Sequence, residues 1–133
     1  MNSERIFTGF GPREELKGEL ASVVYHFLSE MMAGRSPVIW GDGEQTRDFV
    51  YIDDIIDNIL LDFQFDTGIK EIGTGISYSL NTVVNMINLY LGTDIQPEHI
   101  DKPQQYIENT ICSNPCDCKV SLEEGIKKIL DRI

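Results

Sequence analysis

Segments with helical periodicity alternate along this chain with short runs of β-branched and aromatic residues, and this alternation restricts the fold more than any other feature. Apolar residues recur at helical spacing over residues 19–32, 80–91 and 122–133. Gly34 and Gly92 end the first two segments, and the capping box of Ser121 and Glu124 begins the third. Short strands are predicted over residues 5–10, 38–40, 49–52, 71–74 and 95–100.

A further helix is predicted over about residues 55–63, directly after Asp53 and Asp54. Carboxylates at that position suit the positive end of the helix dipole, so a purely structural role is an open alternative for both residues. Residues 103–119 are polar and are expected to be irregular. The whole chain, residues 1–133, is therefore predicted to form a single α/β domain of short strands and about four helices.

The net charge of −11 argues against nucleic acid as a partner, because nucleic-acid binding usually depends on a clustered basic face. The charge is also uneven along the chain. Residues 1–47 contain five basic and seven acidic side chains, whereas residues 48–133 contain six and fifteen. A phosphate-bearing ligand is expected to prefer the first part.

The apolar runs are far shorter than the ~20 residues that a bilayer-spanning helix needs, and the first residues do not resemble a secretion signal. The sequence therefore predicts no membrane partner and a cytoplasmic location. Cys112, Cys116 and Cys118 form an odd, local set that favours reduced thiols. Metal binding is the disfavoured alternative, because zinc sites prefer Cys-x2-Cys pairs and His99 lies far upstream.

The most informative stretch is residues 41–54, GDGEQTRDFVYIDD, in which a glycine-rich turn precedes a strand. Arg47 stands at the start of that strand. Its planar guanidinium could bind a phosphate through two parallel hydrogen bonds, which lysine cannot do. The alternative is an ion pair with the neighbouring Asp48.

This stretch resembles the G-D-G-x-x-x-R-D-[FY]-[VI]-x-[VI]-x-D motif of the extended short-chain dehydrogenase/reductase family, the NAD-dependent nucleotide-sugar epimerases and dehydratases. Residues 5–13, RIFTGFGPR, resemble the family segment R-[YF]-F-N-V-Y-G-P-R, and residues 72–75 and 119–126 resemble two later motifs in family order. Residues 11–18, GPREELKG, are most similar to the ADP-glycero-manno-heptose 6-epimerase branch. The resemblance implies the C-terminal, substrate-binding part of the family fold, without a complete Rossmann domain.

Site residues follow from the resemblance position by position. It implies that Arg47 holds the diphosphate of a nucleotide-sugar and that backbone around residues 38–40 flanks the nucleotide. It implies a catalytic role for Lys17. The substrate-binding residues that it implies are Thr8, His26, Val38, Ile39, Trp40, Arg47 and Tyr106. Burial in the core is the alternative for Trp40, and a helix-surface position is the alternative for His26.

The sequence departs from the family pattern at two places. Thr8 replaces the family's asparagine and loses the paired donor and acceptor of the amide. The tail before residues 119–126 is shorter than in the family. These departures leave open a non-catalytic binding or interaction module, or a truncated-gene remnant.

The sequence contains no G-x-G-x-x-G loop for a dinucleotide and no tyrosine followed four residues later by lysine. The family uses NAD or NADP, and these elements belong to its N-terminal dinucleotide-binding domain. We therefore expect no cofactor to bind to this chain alone. The sequence predicts an incomplete epimerase that a separate NAD-binding chain could complement. A homo-oligomer formed through exposed strand edges is a further alternative.

Overall fold

The structure is a computed structural model that describes residues 3–62 and 69–132. These residues form eight short strands, four α-helices and one 3-10 helix. The strands are β1 (Ser3–Ile6), β2 (Thr8–Phe10), β3 (Val38–Trp40), β4 (Thr46–Arg47), β5 (Phe49–Tyr51), β6 (Ile69–Ile72), β7 (Tyr78–Ser79) and β8 (Glu98–Ile100). The α-helices are α1 (Val23–Met32), α2 (Ile52–Asp62), α3 (Leu80–Leu91) and α4 (Leu122–Asp131), and the 3-10 helix is Glu14–Leu20. The predicted α/β class is confirmed.

The strands pair in twos. β1 runs parallel to β6, β2 to β5 and β3 to β8, whereas β4 runs antiparallel to β7. Phe7 marks the point where the first extended segment changes partner. Its N–H donates to the Ile72 carbonyl at 3.0 Å, and the next N–H, that of Thr8, donates to the Asp48 carbonyl at 2.9 Å. The predicted strand over residues 5–10 is therefore two strands, because two different neighbours share its hydrogen bonds.

Two helices follow their sequence signals closely. α3 begins after Ser79, whose side chain accepts a hydrogen bond from the Thr82 N–H, and it ends at Gly92 with φ 67°. α4 begins after Ser121, whose hydroxyl accepts from the Glu124 N–H. Both starts satisfy a backbone donor that the first helical turn leaves without a partner. The structure confirms both predicted helices.

The first predicted helix begins later than expected. Residues 14–20 form the 3-10 helix with a non-helical Gly18 at φ 58° and ψ −127°, and α1 starts at Val23. Ser22 caps α1 by accepting from the Tyr25 N–H, while its own N–H donates to the Glu14 carboxylate at 2.9 Å. A contact eight residues back along the chain therefore sets the start of α1. The helix predicted over residues 19–32 was wrong at its beginning.

Helix α2 starts at Ile52, so Asp53 and Asp54 lie in its first turn rather than before it. The last predicted residue of this helix, Phe63, lies outside the described residues. Asp54 is buried, and its carboxylate accepts the N–H groups of Lys119 and Val120 at 3.0 and 2.9 Å. This contact ties the irregular tail to α2 and gives Asp54 a structural role.

The main hydrophobic core lies where α1, α3 and α4 meet β2, β3 and β5. Its buried members are Phe10, Val24, Phe27, Leu28, Met31, Ile39, Phe49, Tyr51, Leu80, Val83, Val84, Ile87, Leu122 and Ile126. A smaller cluster of Val50, Ile55 and Ile72 lies between β5, α2 and β6. Within residues 3–62 and 69–132, no helix has the length and apolar character needed to cross a membrane.

Gly125 of α4 packs closely against two aromatic rings of the main core. A Cβ atom there would lie 2.6 Å from Phe10 Cε2 and 2.9 Å from Tyr51 Cδ1. Alanine normally stabilises a helix relative to glycine, by about 0.5–1 kcal/mol. Because both rings are buried, we expect Gly125→Ala to lower the free energy of unfolding by about 1–3 kcal/mol instead.

Urea unfolding of the Gly125→Ala variant measures this effect. Lys127→Ala is the matched control, because Lys127 is an exposed residue of the same helix and its replacement should change the free energy of unfolding by less than about 0.5 kcal/mol. A stabilised Gly125→Ala variant would refute the described packing of α4.

Candidate functional site

A surface cleft of ≈ 540 Å³ opens between α1 and β3. Four of the residues that the sequence singled out line it together: His26, Val38, Trp40 and Tyr106. The 3-10 helix contributes Glu19 to the same cleft. The fold therefore gathers residues that are up to 87 positions apart into one concave surface.

Strand β3 presents its side chains alternately, as an extended backbone requires. Val38 and Trp40 are 47% and 45% exposed, whereas Ile39 is buried in the core. Core burial was the alternative for Trp40, and the structure contradicts it. Ile39 can reach a ligand only through its backbone, because its side chain belongs to the core.

The Tyr106 ring lies between Trp40 and Arg47. It makes an edge-on contact with Trp40, with 5.7 Å between the ring centroids and 73° between the ring planes. Arg47 Cζ lies 5.2 Å from the centroid of the same tyrosine ring, a distance typical of a cation–π contact. An aromatic surface and a guanidinium group are thus joined through one side chain.

Arg47 is held by backbone carbonyls. Its Nη1 donates to the carbonyls of Thr46 and Glu108 at 2.7 and 3.1 Å, and its Nη2 donates to the carbonyl of Ile107 at 2.7 Å. These contacts position the guanidinium without neutralising it, because each acceptor is an uncharged carbonyl. The other N–H groups of the guanidinium have no partner among the described residues and can donate to a ligand.

The ion pair between Arg47 and Asp48 that was the alternative does not form in the described structure. Asp48 is buried, and its Oδ1 accepts from the Thr74 N–H and hydroxyl at 2.9 and 2.7 Å. Its Oδ2 accepts from the N–H groups of Gly75 and Cys112 at 2.9 and 3.0 Å. Asp48 therefore fastens the loop after β6 and the irregular tail to the strand that follows Arg47.

Gln45 was not recognised in the sequence as a site residue, although it contacts both Trp40 and Tyr106. It is buried, and its Nε2 donates to the Trp40 carbonyl at 2.6 Å and to the Tyr106 hydroxyl at 3.2 Å. A buried amide needs such partners. Gln45 lies inside the glycine-rich motif, and that position is the only sequence signal that could have indicated it.

The segment that carries Tyr106 is closed by an ion pair. Lys102 Nζ contacts Glu108 Oε1 across this segment. The hydrogen bond to Glu108 is the main reason that the pKa of Lys102 is raised above its ordinary value, so the lysine stays charged through the neutral range. The ion pair is exposed, and its contribution to stability is small.

Lys17 lies outside the cleft, on the 3-10 helix, and its side chain is 54% exposed. Its Nζ donates to Glu14 Oε1 at 3.2 Å. Glu14 is 2% exposed and also accepts the N–H and hydroxyl of Ser22 at 2.9 and 2.7 Å. This buried carboxylate, which the sequence did not indicate, anchors the segment that presents Lys17.

Thr8 and His26 occupy different surroundings. Thr8 is a half-buried residue of β2, paired in register with Phe49, and does not line the cleft. His26 is a half-buried residue of α1 at the cleft wall, with its ring 5.7 Å from that of Tyr25. The structure thus brings His26 together with Trp40 and Tyr106, while Thr8, Lys17 and Arg47 lie beyond the cleft wall.

The three cysteines are free thiols. Burial raises the pKa of Cys112 and, together with a hydrogen bond to Cys116, that of Cys118. Within residues 3–62 and 69–132, no group of three or more His, Cys, Asp or Glu side chains is placed to hold a metal ion.

Residues 2–72 match the model of a protein family described as the NAD dependent epimerase/dehydratase family. A protein of Methanocaldococcus jannaschii named "Putative UDP-glucose 4-epimerase" is 35% identical, over 92% of this chain and 42% of its own length. This chain therefore spans less than half the length of that relative.

Two crystal structures show the same fold. The UDP-glucose 4-epimerase of Thermotoga maritima, solved with UDP-glucose, is 30% identical, with a TM-score of 0.89 over 98% of this chain and 46% of its own. The ADP-L-glycero-D-manno-heptose-6-epimerase of Helicobacter pylori is 29% identical, with a TM-score of 0.79 over 99% of this chain and 44% of its own.

Proposed function

This chain belongs to the NAD dependent epimerase/dehydratase family, and from that premise we propose that it is the nucleotide-sugar-binding part of a sugar epimerase. The observation that carries the proposal is the continuous surface of Trp40, Tyr106 and Arg47. It offers an aromatic wall for a nucleoside and a positive group for a diphosphate, joined through ring contacts of 5.7 and 5.2 Å.

The nucleoside is assigned to the cleft between α1 and β3. Trp40 and Val38 are both about half exposed there and supply apolar area, and Gln45 fixes the orientation of Tyr106 through its hydroxyl. His26 lines the opposite wall and can donate or accept a hydrogen bond. An aromatic contact of this kind accepts several bases, so it does not select one nucleotide.

The diphosphate is assigned to Arg47. Its contacts with carbonyls hold the guanidinium in place before a ligand arrives, which reduces the entropy lost on binding. The cleft itself contains Glu19 and Glu30, which repel phosphate. Because Arg47 contacts Tyr106 but does not line the cleft with these carboxylates, the charges favour a ligand that places its diphosphate at Arg47 and its nucleoside in the cleft.

The reaction proposed for the assembled enzyme is inversion at a sugar carbon through a keto intermediate. NAD, when bound, supplies reversible hydride chemistry at that carbon. This chemistry uses a dinucleotide-binding G-x-G-x-x-G loop and a Tyr-x-x-x-Lys pair. Neither motif is in the present sequence, so polypeptide outside it must provide them. Lys17, anchored through Glu14, is assigned to positioning the sugar, whereas His26 belongs to the nucleoside end of the ligand.

Fluorescence of Trp40 tests the binding site directly, because Trp40 is the sole tryptophan of the sequence and lines the proposed nucleoside cleft. We expect titration with UDP-glucose or an ADP-sugar to change its emission saturably, because a base against the indole changes its surroundings. Free glucose, which has no nucleoside, is the control and should leave the emission unchanged. Identical responses to glucose and to nucleotide sugars would exclude the proposed nucleoside cleft.

A further inference from the structure

Two thiols lie side by side in the irregular tail, away from the cleft. Cys116 Sγ and Cys118 Sγ are 3.2 Å apart, and both residues are half-buried. They share the Gly73 carbonyl as a hydrogen-bond acceptor, at 3.3 Å from Cys116 Sγ and 3.6 Å from Cys118 Sγ. The fold therefore holds two sulfur atoms on one side of the chain, against the loop that follows β6.

Several contacts keep this pair in place. The Cys116 N–H also donates to the Gly73 carbonyl, at 3.2 Å, and the neighbouring Asn58 amide donates to the Asp117 carbonyl at 3.2 Å. Asp54 accepts the N–H of Lys119. The backbone of Cys116, Asp117 and Lys119 is thus hydrogen-bonded either to α2 or to the loop after β6.

The two sulfurs are close to bonding distance and can be reached from solvent. A disulfide requires about 2.05 Å between sulfurs, so closure needs a movement of only about 1 Å. A surface pocket of ≈ 210 Å³ is lined by both cysteines together with Thr74, Tyr78 and Ser121. A small reagent can therefore approach the pair, whereas Cys112 is 3% exposed.

We propose that Cys116 and Cys118 are a modification site at which a small disulfide, such as oxidised glutathione, installs a reversible intrachain disulfide. The Cys116 thiolate attacks one sulfur of the reagent and forms a mixed disulfide with it. The other half of the reagent leaves as a glutathione thiolate. The Cys118 thiol then loses its proton, attacks Cys116 Sγ and releases the second glutathione. The chain loses two protons and two electrons, and the reagent gains them as two thiols.

The order of attack follows from the surroundings of the two sulfurs. Burial raises the pKa of the Cys118 thiol, which makes it the poorer first nucleophile. Once Cys116 carries the mixed disulfide, the nearness of Cys118 favours its attack over that of a second glutathione. Closure removes the S–H donors from the Gly73 carbonyl and leaves the Cys116 N–H as its donor.

Asp117 separates the two cysteines, so cleavage on its N-terminal side provides a direct test. The folded chain is incubated with oxidised glutathione, remaining thiols are alkylated, and the protein is unfolded and cut before Asp117. We expect the mass of the intact chain, measured before alkylation, to fall by two hydrogen atoms, and the fragments to stay joined until a reducing agent is added. Full alkylation of both thiols, or two bound glutathiones, would overturn the proposal.

Three variants make the assignment specific. Cys112→Ala should keep the joined fragments, because Cys112 takes no part; their loss in this variant would overturn the assignment to Cys116 and Cys118. Cys116→Ser and Cys118→Ser should each lose the intrachain link, and Cys118→Ser should retain one glutathione on Cys116. An intrachain link in either serine variant would likewise contradict the proposed pair. None of these outcomes depends on nucleotide-sugar binding.

Discussion

Replacing Asp48 with alanine is expected to lower the free energy of unfolding by about 3–5 kcal/mol. The carboxylate accepts four hydrogen bonds, from Thr74, Gly75 and Cys112, and its residue is fully buried. Alanine would leave these donors without an acceptor in the interior. Such a loss is a large part of the ~5–15 kcal/mol that stabilises a typical domain. Urea unfolding followed by circular dichroism measures it.

Two control variants separate this effect from a general cost of losing a negative charge. Asp48→Asn keeps one carbonyl oxygen and so should retain the hydrogen bonds on one side of the group, with a smaller loss than alanine. Asp57→Ala removes an exposed carboxylate from α2 and should change the free energy of unfolding by less than about 0.5 kcal/mol. Equal losses for Asp48→Ala and Asp57→Ala would contradict the described role of Asp48.

Replacing Arg47 with alanine is expected to weaken nucleotide-sugar binding by about ten- to a hundredfold, or about 1.4–2.8 kcal/mol. Hydrogen bonds from a guanidinium to a diphosphate are charge-assisted, and no other arginine of the described residues contacts Tyr106 in the structure. The loss should be greater for a nucleotide sugar than for the free nucleoside, which has no phosphate. Competitive titration with the two ligands measures the difference.

Arg132→Ala makes the same change in net charge at an exposed residue that follows α4 and does not line the cleft, and it serves as the matched control. It should leave the affinity for nucleotide sugar within about twofold. Arg47→Lys should recover only part of the affinity, because lysine keeps the charge and loses the planar pair of donors. An unchanged affinity in Arg47→Ala, with its unfolding transition intact, would refute the assignment of the diphosphate.

Elements whose signals are local were predictable from the sequence. α3 and α4 each begin at a serine that caps its own first turn, and Gly92 ends α3 with a positive φ. β3 was predicted from its apolar residues alone, and its bounds are those expected. In each case the residues that decide the boundary lie within the element or next to it, so periodicity and capping suffice.

Elements that depend on distant partners were not predictable in the same way. The start of α1 depends on Glu14, which reaches Ser22 across the turn at Gly18. The alternative of an ion pair between Arg47 and Asp48 fails because neighbouring side chains of an extended backbone point to opposite faces. Asp48 finds donors 26 to 64 residues away, and no periodicity in the sequence records those contacts.

Part of the candidate site could be predicted from the sequence, and part of it could not. Arg47, Trp40 and Tyr106 were indicated by resemblance to the family, and the fold places them in contact through the tyrosine ring. Gln45 was missed because a single glutamine in a turn carries no pattern, although its amide holds the Trp40 carbonyl and the Tyr106 hydroxyl. Its role depends on a contact across 61 residues of the chain.

The central claim is that this chain by itself binds a nucleotide sugar, and calorimetric titration tests it most directly. UDP-glucose and an ADP-sugar are each titrated into the folded chain without any cofactor. The proposed site predicts saturable heat at one ligand per chain for at least one of them, and none for free glucose. No heat from either nucleotide sugar, on a chain with a cooperative unfolding transition, would contradict the claim.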